Sequence, residues 1–276
     1  MNTNKTHFRF KLGSFECVVI SDGLIPIPAE PARHPSDILG SPMKYIDIDV
    51  MCLLVKTRKH TILLDTGCGG EEPAAGKLLQ NLQSAGIPCA EIDTVILSHG
   101  HADHIGGITD SKGKLAFPKA RYVMSREEWE FWTEQTVLKQ EDQNKKEMFL
   151  RAARRNLLPI RDRLTLVEGE TEIKPGIKIL STPGHTPGTI LPVITCGTER
   201  LLYIGDIIHH LLELTQPDLY QMFDITPERA MNMREHILSD VMTPEDLVFV
   251  SHFPFPGLGH IVRKNNKWLW QPMEIA

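Results

Sequence analysis

Over its first 65 positions the chain alternates apolar and polar residues in short runs. The stretches 8–10, 15–21, 50–56 and 61–65 are rich in Val, Ile, Leu and Phe, as strands are. The pattern then changes. Residues 74–85 place their apolar side chains at helical spacing, and Ser125 with Glu128 three positions on forms a capping box that opens a helix through Trp132. Residues 139–157 read as a longer amphipathic helix, and Thr226-Pro227-Glu228 sets proline in the first turn of another, with Ala230, Met233, Ile237 and Val241 on one face. Apolar β runs recur at 93–97, 177–180, 201–204 and 247–251, and strands close the chain at 261–264 and 268–270. Strands with helices between and after them suit two packed sheets flanked by helices. No internal repeat and no low-complexity linker divides the sequence, so residues 1–276 are expected to form a single domain.

The run 93–97 leads straight into Ser98-His99-Gly100-His101-Ala102-Asp103-His104, three imidazoles and a carboxylate within six positions. Those donors suit zinc, iron, manganese or cobalt. In an extended segment His99 and His101 point the same way, and a following turn brings Asp103 and His104 round to a second ion. The plain alternative is a surface loop that happens to collect histidines. The His-x-His-x-Asp-His spacing and the flanking Gly100, Gly106 and Gly107, which permit close packing of ligands, argue against it. A four-residue cluster cannot close two sites, and three further segments supply donors. His185 lies in the Pro/Gly-punctuated turn after 177–180, Asp206 follows the run 201–204, and His252 ends the run 247–251. A donor at the end of each strand is the pattern of a site built along one rim of a sheet.

On these residues the chain resembles the metallo-β-lactamase-fold hydrolases, from about Asp49 to His260. The resemblance implies an α/β, four-layer αββα sandwich and two divalent metal ions, zinc foremost, with iron, manganese or cobalt as alternatives. It places His99, His101 and His185 on one ion, Asp103, His104 and His252 on the second, and Asp206 across both. Leu64-Asp65-Thr66-Gly67 resembles the family's strand-ending acidic turn, which makes Asp65 a carboxylate that orients a ligand from behind. Within the superfamily the spacing from His104 through His185 and Asp206 to His252, and the segment 253–261, resemble the methyl parathion hydrolase-like members, with the quorum-quenching N-acyl-homoserine lactonases a step further away. Those lactonases carry a tyrosine three residues past the bridging aspartate, where this chain has His209.

Composition narrows the field. With 41% hydrophobic residues the chain can bury a large core, and a net charge of −5 offers no electrostatic footprint for nucleic acid. The arginines at 151, 154, 155, 161 and 163 form a local basic run that a solvated helix face explains. Five scattered cysteines without a Cys-x-x-Cys pair point to a reducing compartment, and no apolar run is long enough to span a bilayer, so the expectation is a cytoplasmic protein without membrane association. The assembly is left open, with a homodimer compatible.

The ligand set implies hydrolysis by a hydroxide held between two ions, with no side-chain nucleophile, and the chain has no Gly-x-Ser-x-Gly elbow. Asp103, Asp206 and His209 are the expected catalytic groups. Trp132 and Phe149 in the insertion between His104 and His185, with His210 and Phe253, are the expected walls of an apolar substrate pocket, although aromatics at helical spacing are as readily ordinary core. An apolar mouth favours aryl esters or organophosphate triesters as the small-molecule substrate. N-acyl-homoserine or other lactones are the main alternative, and a glyoxalase-II-like thioesterase or an iron-dependent oxidoreductase the others.

Overall fold

The computed structural model describes residues 6–28, 45–71, 74–134, 143–219 and 221–274. Two seven-stranded sheets follow one another along the chain. The first runs β1 (His7–Leu12), β2 (Phe15–Pro28), β3 (Tyr45–Lys56), β4 (Thr61–Leu64), β5 (Thr94–Ile96), β6 (Arg121–Ser125) and β7 (Leu164–Val167), neighbours in that order. The second holds β8 (Thr171–Lys174), β9 (Ile177–Ser181), β10 (Ile190–Cys196), β11 (Glu199–Tyr203), β12 (Leu247–Phe249), β13 (Leu258–Lys264) and β14 (Lys267–Pro272), again in chain order across the sheet. The helices are α1 (Leu78–Ser84), α2 (Ala102–Ile105), α3 (Arg126–Thr133), α4 (Gln143–Leu157), α5 (Leu212–Thr215) and α6 (Pro227–His236).

Period-two alternation sorts the strand residues into layers. In β3, Met51, Leu53 and Val55 pack between the sheets, while Cys52 and Leu54 face the other way toward Leu78 and Leu82 of α1 and Leu150 and Leu157 of α4. In β11 and β12, Leu201, Tyr203, Leu247 and Phe249 enter the inter-sheet core, and Leu202 and Val248 meet Leu214 of α5 and Ile237 beyond α6. Three apolar layers between four structural ones make the αββα sandwich.

The same topology places the functional rim. Strands β4 to β7 pair in parallel, as do β11 and β12. Their carboxyl ends therefore open on one side, where an α/β sheet receives ligands. Asp65 follows β4, the histidine cluster follows β5, Asp206 follows β11 and His252 follows β12.

Several elements differ from the sequence reading: β3 and β13 begin earlier than the runs at 50–56 and 261–264, and β6, β7, β8 and β10 have no counterpart in it. Strand β2 continues to Pro28 instead of ending near 21, because a bulge at Ser21/Gly23 lets the chain turn and resume pairing with β3 as far as Tyr45. Gly23 has φ of 125° and its missing Cβ would lie 2.2 Å from the Ala74 carbonyl oxygen, so no side chain fits there. Helix α1 starts at Leu78, not near 74, since the preceding residues wrap the buried Asp22 carboxylate, which accepts from the amides of Cys68 (2.8 Å), Gly76 (3.1 Å) and Leu78 (2.7 Å). Helix α4 begins at Gln143; residues 139–142 of the expected helix lie outside the described ones. The α6 face is as expected, with Ala230 buried, Met233 and Val241 packed on the core and Ile237 within it. The last described segment is the β13–β14 hairpin. Among the described residues no helix is long and apolar enough to cross a membrane.

Asp22 joins β2 to the loop that leads from Asp65 toward α1, so it braces the rim. Substituting it by alanine leaves three enclosed backbone N–H groups without an acceptor. We expect Asp22→Ala to lower stability by about 3 kcal/mol or more in urea unfolding, with the unfolding slope unchanged.

Candidate metal centre

Strand β5 stops at Ile96 and the chain leaves the sheet extended through His99 and His101, then winds into the single turn of α2, which begins from an extended His101 (φ −72°, ψ 152°). That change of direction separates the four donors. The ligating atoms of His99, His101, His185 and Asp206 lie within 4.8 Å of one another, and so do those of Asp103, His104, Asp206 and His252. Asp206 belongs to both groups. Its Oδ1 stands 3.1 Å from Nε2 of His104 and 3.1 Å from Nε2 of His252, and its Oδ2 lies 3.2 Å from His185 Nε2 and 3.6 Å from His99 Nε2.

Four of the five imidazoles are fixed from behind, which turns the other nitrogen inward, while His101 Nδ1 meets His185 Nε2 at 2.9 Å within the cluster. His104 Nδ1 meets Asp65 Oδ2 at 2.7 Å, His185 Nδ1 meets Asp224 Oδ1 at 2.8 Å, His252 Nδ1 meets the Asp49 carbonyl oxygen at 2.9 Å, and His99 Nδ1 meets Ser98 Oγ at 3.1 Å. Asp65, held at φ 58°, also accepts from the Ser98 amide at 2.7 Å and from the Tyr203 hydroxyl at 2.5 Å. Inside the ring of donors, His99 Nε2 and Asp206 Oδ1 are enclosed and have no hydrogen-bond partner. Lone pairs from several residues thus converge on the same two spaces, as a cation's donor set does and a hydrogen-bond network does not. The residues fit two divalent ions.

The electrostatics point the same way. Burial, with His104 beside it, pushes His99 well below the ordinary imidazole range, and burial with the adjacent His185 brings His101 down to about 3. At His104 burial also opposes charge, but Asp206, Asp103 and Asp65 outweigh it and hold the group well above its usual value. Burial disfavours the Asp206 carboxylate, yet His104, His252, His209 and His99 together keep it well below the normal carboxyl range. The carboxylates demand more positive charge than neutral imidazoles supply, and bound cations meet that demand.

The cleft over the donors holds about 280 Å³. His101, Asp103, Asp206, His209 and His252 form its floor, Ile25, Ile27 and Ile48 one aliphatic wall, and Ala152, Arg155 and Asn156 of α4 another, with Phe223 and Cys68 completing it. His209 is 5% exposed, with Nε2 3.1 Å from Asp206 Oδ2 and Nδ1 4.0 Å from Glu213 Oε2. Burial lowers its affinity for a proton, and Asp206 and Glu213 more than reverse that, to about 10. Glu213 is in turn held by the buried Arg234 at 2.6 Å, and its Oε1 accepts from Gln221 at 2.7 Å.

The expected pocket residues fare differently. Trp132 is buried behind the floor, its indole N–H donating to Glu128 Oε1 at 2.5 Å and its ring edge-on to His101, where it fills the space a Cβ on Gly100 would need. Phe253 packs edge-on against Trp270 in the layer between the second sheet and its helices. His210 turns its Nδ1 to the Leu212 amide at the start of α5 and does not line the cleft. These three positions belong to the scaffold, because the apolar layers claim the aromatic rings and the α5 turn claims His210. The Phe149 side chain lies outside the described residues. Arg155, read from sequence as part of a solvated face, instead lines the cleft. Sequence reasoning also missed Asp224, Glu213 and the second use of Glu128. Only Glu128 left a local signal, its capping-box position, and there the Ser125 hydroxyl does accept from the Glu128 amide at 3.2 Å.

The sequence model of the metallo-beta-lactamase superfamily matches residues 46–268. An N-acyl homoserine lactonase of Bacillus sp is 26% identical over 235 residues, which cover 77% of this chain and 84% of that protein. Among solved structures, AidC, a dizinc quorum-quenching lactonase in complex with a product, N-hexanoyl-L-homoserine, superposes with a TM-score of 0.88 at 29% identity over 98% of both chains. The hydrolase AbOPH of the beta lactamase superfamily superposes with a TM-score of 0.88 at 24% identity over both full lengths, a likeness of fold.

Two ions per chain should be recovered after zinc reconstitution, measured by elemental analysis of the folded protein. Asp206→Ala removes a donor common to both clusters and should bring the content below one ion per chain, whereas replacing the distant, exposed-side His60 by alanine should leave it unchanged.

Proposed function

Because this chain belongs to the metallo-beta-lactamase superfamily, we propose that it is a dizinc lactonase that opens the ring of N-acyl homoserine lactones. Metal-dependent hydrolysis is the reaction class of the fold and of its donor clusters. The observation that carries the finer reading is the likeness to AidC along nearly the whole of both chains.

Aryl esters and organophosphate triesters, placed first by the sequence, move behind lactones. Two of the aromatic residues that favoured them, Trp132 and Phe253, are buried in core layers and do not line the cleft. What lines the cleft opposite α4 is aliphatic, Ile25, Ile27 and Ile48, a surface suited to an acyl chain.

When bound, the two ions supply Lewis acidity, which polarises the lactone carbonyl and brings the pKa of water from ~15.7 toward ~7. The protein's own part is placement and proton movement. Asp206, shared by both clusters, fixes their separation. Hydrolysis adds water to the acyl carbon and breaks the ring C–O bond, and the proton lost by the water ends on the ring oxygen, which becomes the hydroxyl of the opened acid. His209 presents Nε2 on the cleft side of Asp206, so it is the group placed to carry that proton, at the position where the lactonases resembled by this sequence have tyrosine. Glu213, anchored by Arg234, accepts from the backbone amides of His209 and His210 at 3.3 and 3.0 Å and lies 4.0 Å from the opposite ring nitrogen, where its charge favours the protonated ring.

With zinc-loaded protein, N-hexanoyl-homoserine lactone should be turned over faster than p-nitrophenyl esters or dialkyl aryl phosphates. The reverse ranking would sink the lactone reading. His209→Ala should lower kcat by about a hundredfold, the low end for a lost general acid, with zinc content unchanged, and His209→Tyr should recover part of the loss. An alanine variant with wild-type kcat removes His209 from the chemistry.

A further inference from the structure

Glu128 lies in the first turn of α3 with its side chain fully enclosed. Its carboxylate does not close the capping box back onto its own helix. Oε1 accepts from the Gly100 amide at 2.8 Å and from the Trp132 indole at 2.5 Å, and Oε2 accepts from the Thr186 hydroxyl at 2.7 Å and the Gly188 amide at 2.9 Å. Gly100 sits between His99 and His101 on the loop after β5. Thr186 and Gly188 flank His185 from the other side, on the loop between β9 and β10. One carboxylate therefore grips the two loops, from two different sheets, that carry all three histidines of the first cluster. The approach is close enough that a Cβ on Gly188 would lie 2.2 Å from the Glu128 amide nitrogen. The loop that carries His252 is held by a different residue, Asp49, whose carbonyl backs His252 at 2.9 Å and whose carboxylate accepts from the Phe255 amide at 3.2 Å.

We infer that Glu128 is the positioning residue of the first metal pocket: it sets the affinity of the His99, His101 and His185 cluster for its ion without touching that ion. The inference rests on the two-ion reading of the site. Burying a carboxylate is unfavourable unless its lone pairs are satisfied, and here four donors satisfy them. Its value lies in geometry: it bonds no imidazole but holds the backbone of the loops that carry them, and groups that orient ligating histidines govern metal affinity by about 10- to 100-fold. Glutamine at this position keeps the volume but has one acceptor oxygen. Its amide nitrogen can face only the Thr186 hydroxyl, which rotates to accept, so the Gly188 amide loses its partner and the His185 loop is released while Gly100 stays held.

The test is zinc binding by chelator competition, combined with long-range 1H–15N spectra that report which imidazoles are ligated. In Glu128→Gln one zinc should bind as in the wild type and the other about 10- to 100-fold more weakly, with the signals of His99, His101 and His185 leaving the ligated pattern and those of His104 and His252 keeping it. Thr186→Val, which removes one donor and leaves the carboxylate in place, should shift the same constant in the same direction by less. It carries the test alone if the glutamine variant does not fold. Equal weakening of both zinc constants, or a lower melting temperature with both constants unchanged, overturns the inference and reduces Glu128 to packing. A wild-type chain that binds fewer than two zinc ions overturns the two-ion reading itself, and this inference with it, before any substitution is made.

Discussion

Nε2 atoms of four histidines come within 3.2 Å of the Asp206 carboxylate, which is only 5% exposed. So dense a group of ionisable side chains is unfavourable in a protein interior, because neutral imidazoles leave the carboxylates without matching charge and protonated ones repel one another. Its persistence requires that the rings be held by groups outside the cluster. Asp65, Asp224, Ser98 and the Asp49 carbonyl each hold one ligating histidine, and the Arg234–Glu213 pair backs His209. Much of the polar interior of this fold serves that requirement, and the two αβ layers supply the rigidity from which the holding residues act.

The backing residues differ in kind. Asp65 is local to the rim, held at positive φ directly after β4 and tied to Ser98 at the head of the histidine loop. Glu213 belongs to α5 and Asp224 to the segment between α5 and α6, and Arg234 of α6 steadies the chain on both sides of α5 by donating to the carbonyls of Ile207 (2.9 Å) and Leu219 (2.6 Å). The cleft wall is different again, with aliphatic residues of β2 and β3 on one side and α4 on the other. Chemistry and recognition are therefore assigned to largely separate parts of the molecule. The floor is built by strand ends, and the walls by β2, β3 and α4, with β3 serving both through Ile48 in the wall and the Asp49 carbonyl behind His252.

This division explains what the sequence made legible. Donor residues must cluster at short spacing on strand-ending turns, so His99 to His104, His185, Asp206 and His252 stand out in the linear chain, and alternating apolar runs mark the strands that carry them. Partners that act from behind obey no spacing. Asp224 reaches His185 across 39 positions and Glu128 reaches Gly188 across 60, and nothing adjacent in sequence marks them. Glu128 was visible only as half of a capping box. Strand β2 was cut short in the linear reading because Gly23, Pro26 and Pro28 are strand breakers by composition, whereas a bulge and an edge of the sheet accommodate them here. Trp132 and Phe253 misled because an aromatic ring gives the same signal whether it faces a cleft or a core.

Both donor clusters straddle the line between the two sheets. His99, His101, Asp103 and His104 belong to the rim of the first, and His185, Asp206 and His252 to the rim of the second. Neither half of the chain can assemble a complete pocket, and the sheets must dock before any ion finds its full coordination. Ion binding is then thermodynamically linked to that docking: each ion captured acts as a rivet between the halves, adding stability in proportion to the logarithm of its free concentration over its dissociation constant. A cell short of metal would hold this protein in a form whose two layers are joined only by apolar packing and by hydrogen bonds such as those of Tyr203 to Asp65 and Gly188 to Glu128, and metal supply would set its lifetime against proteolysis as well as its activity.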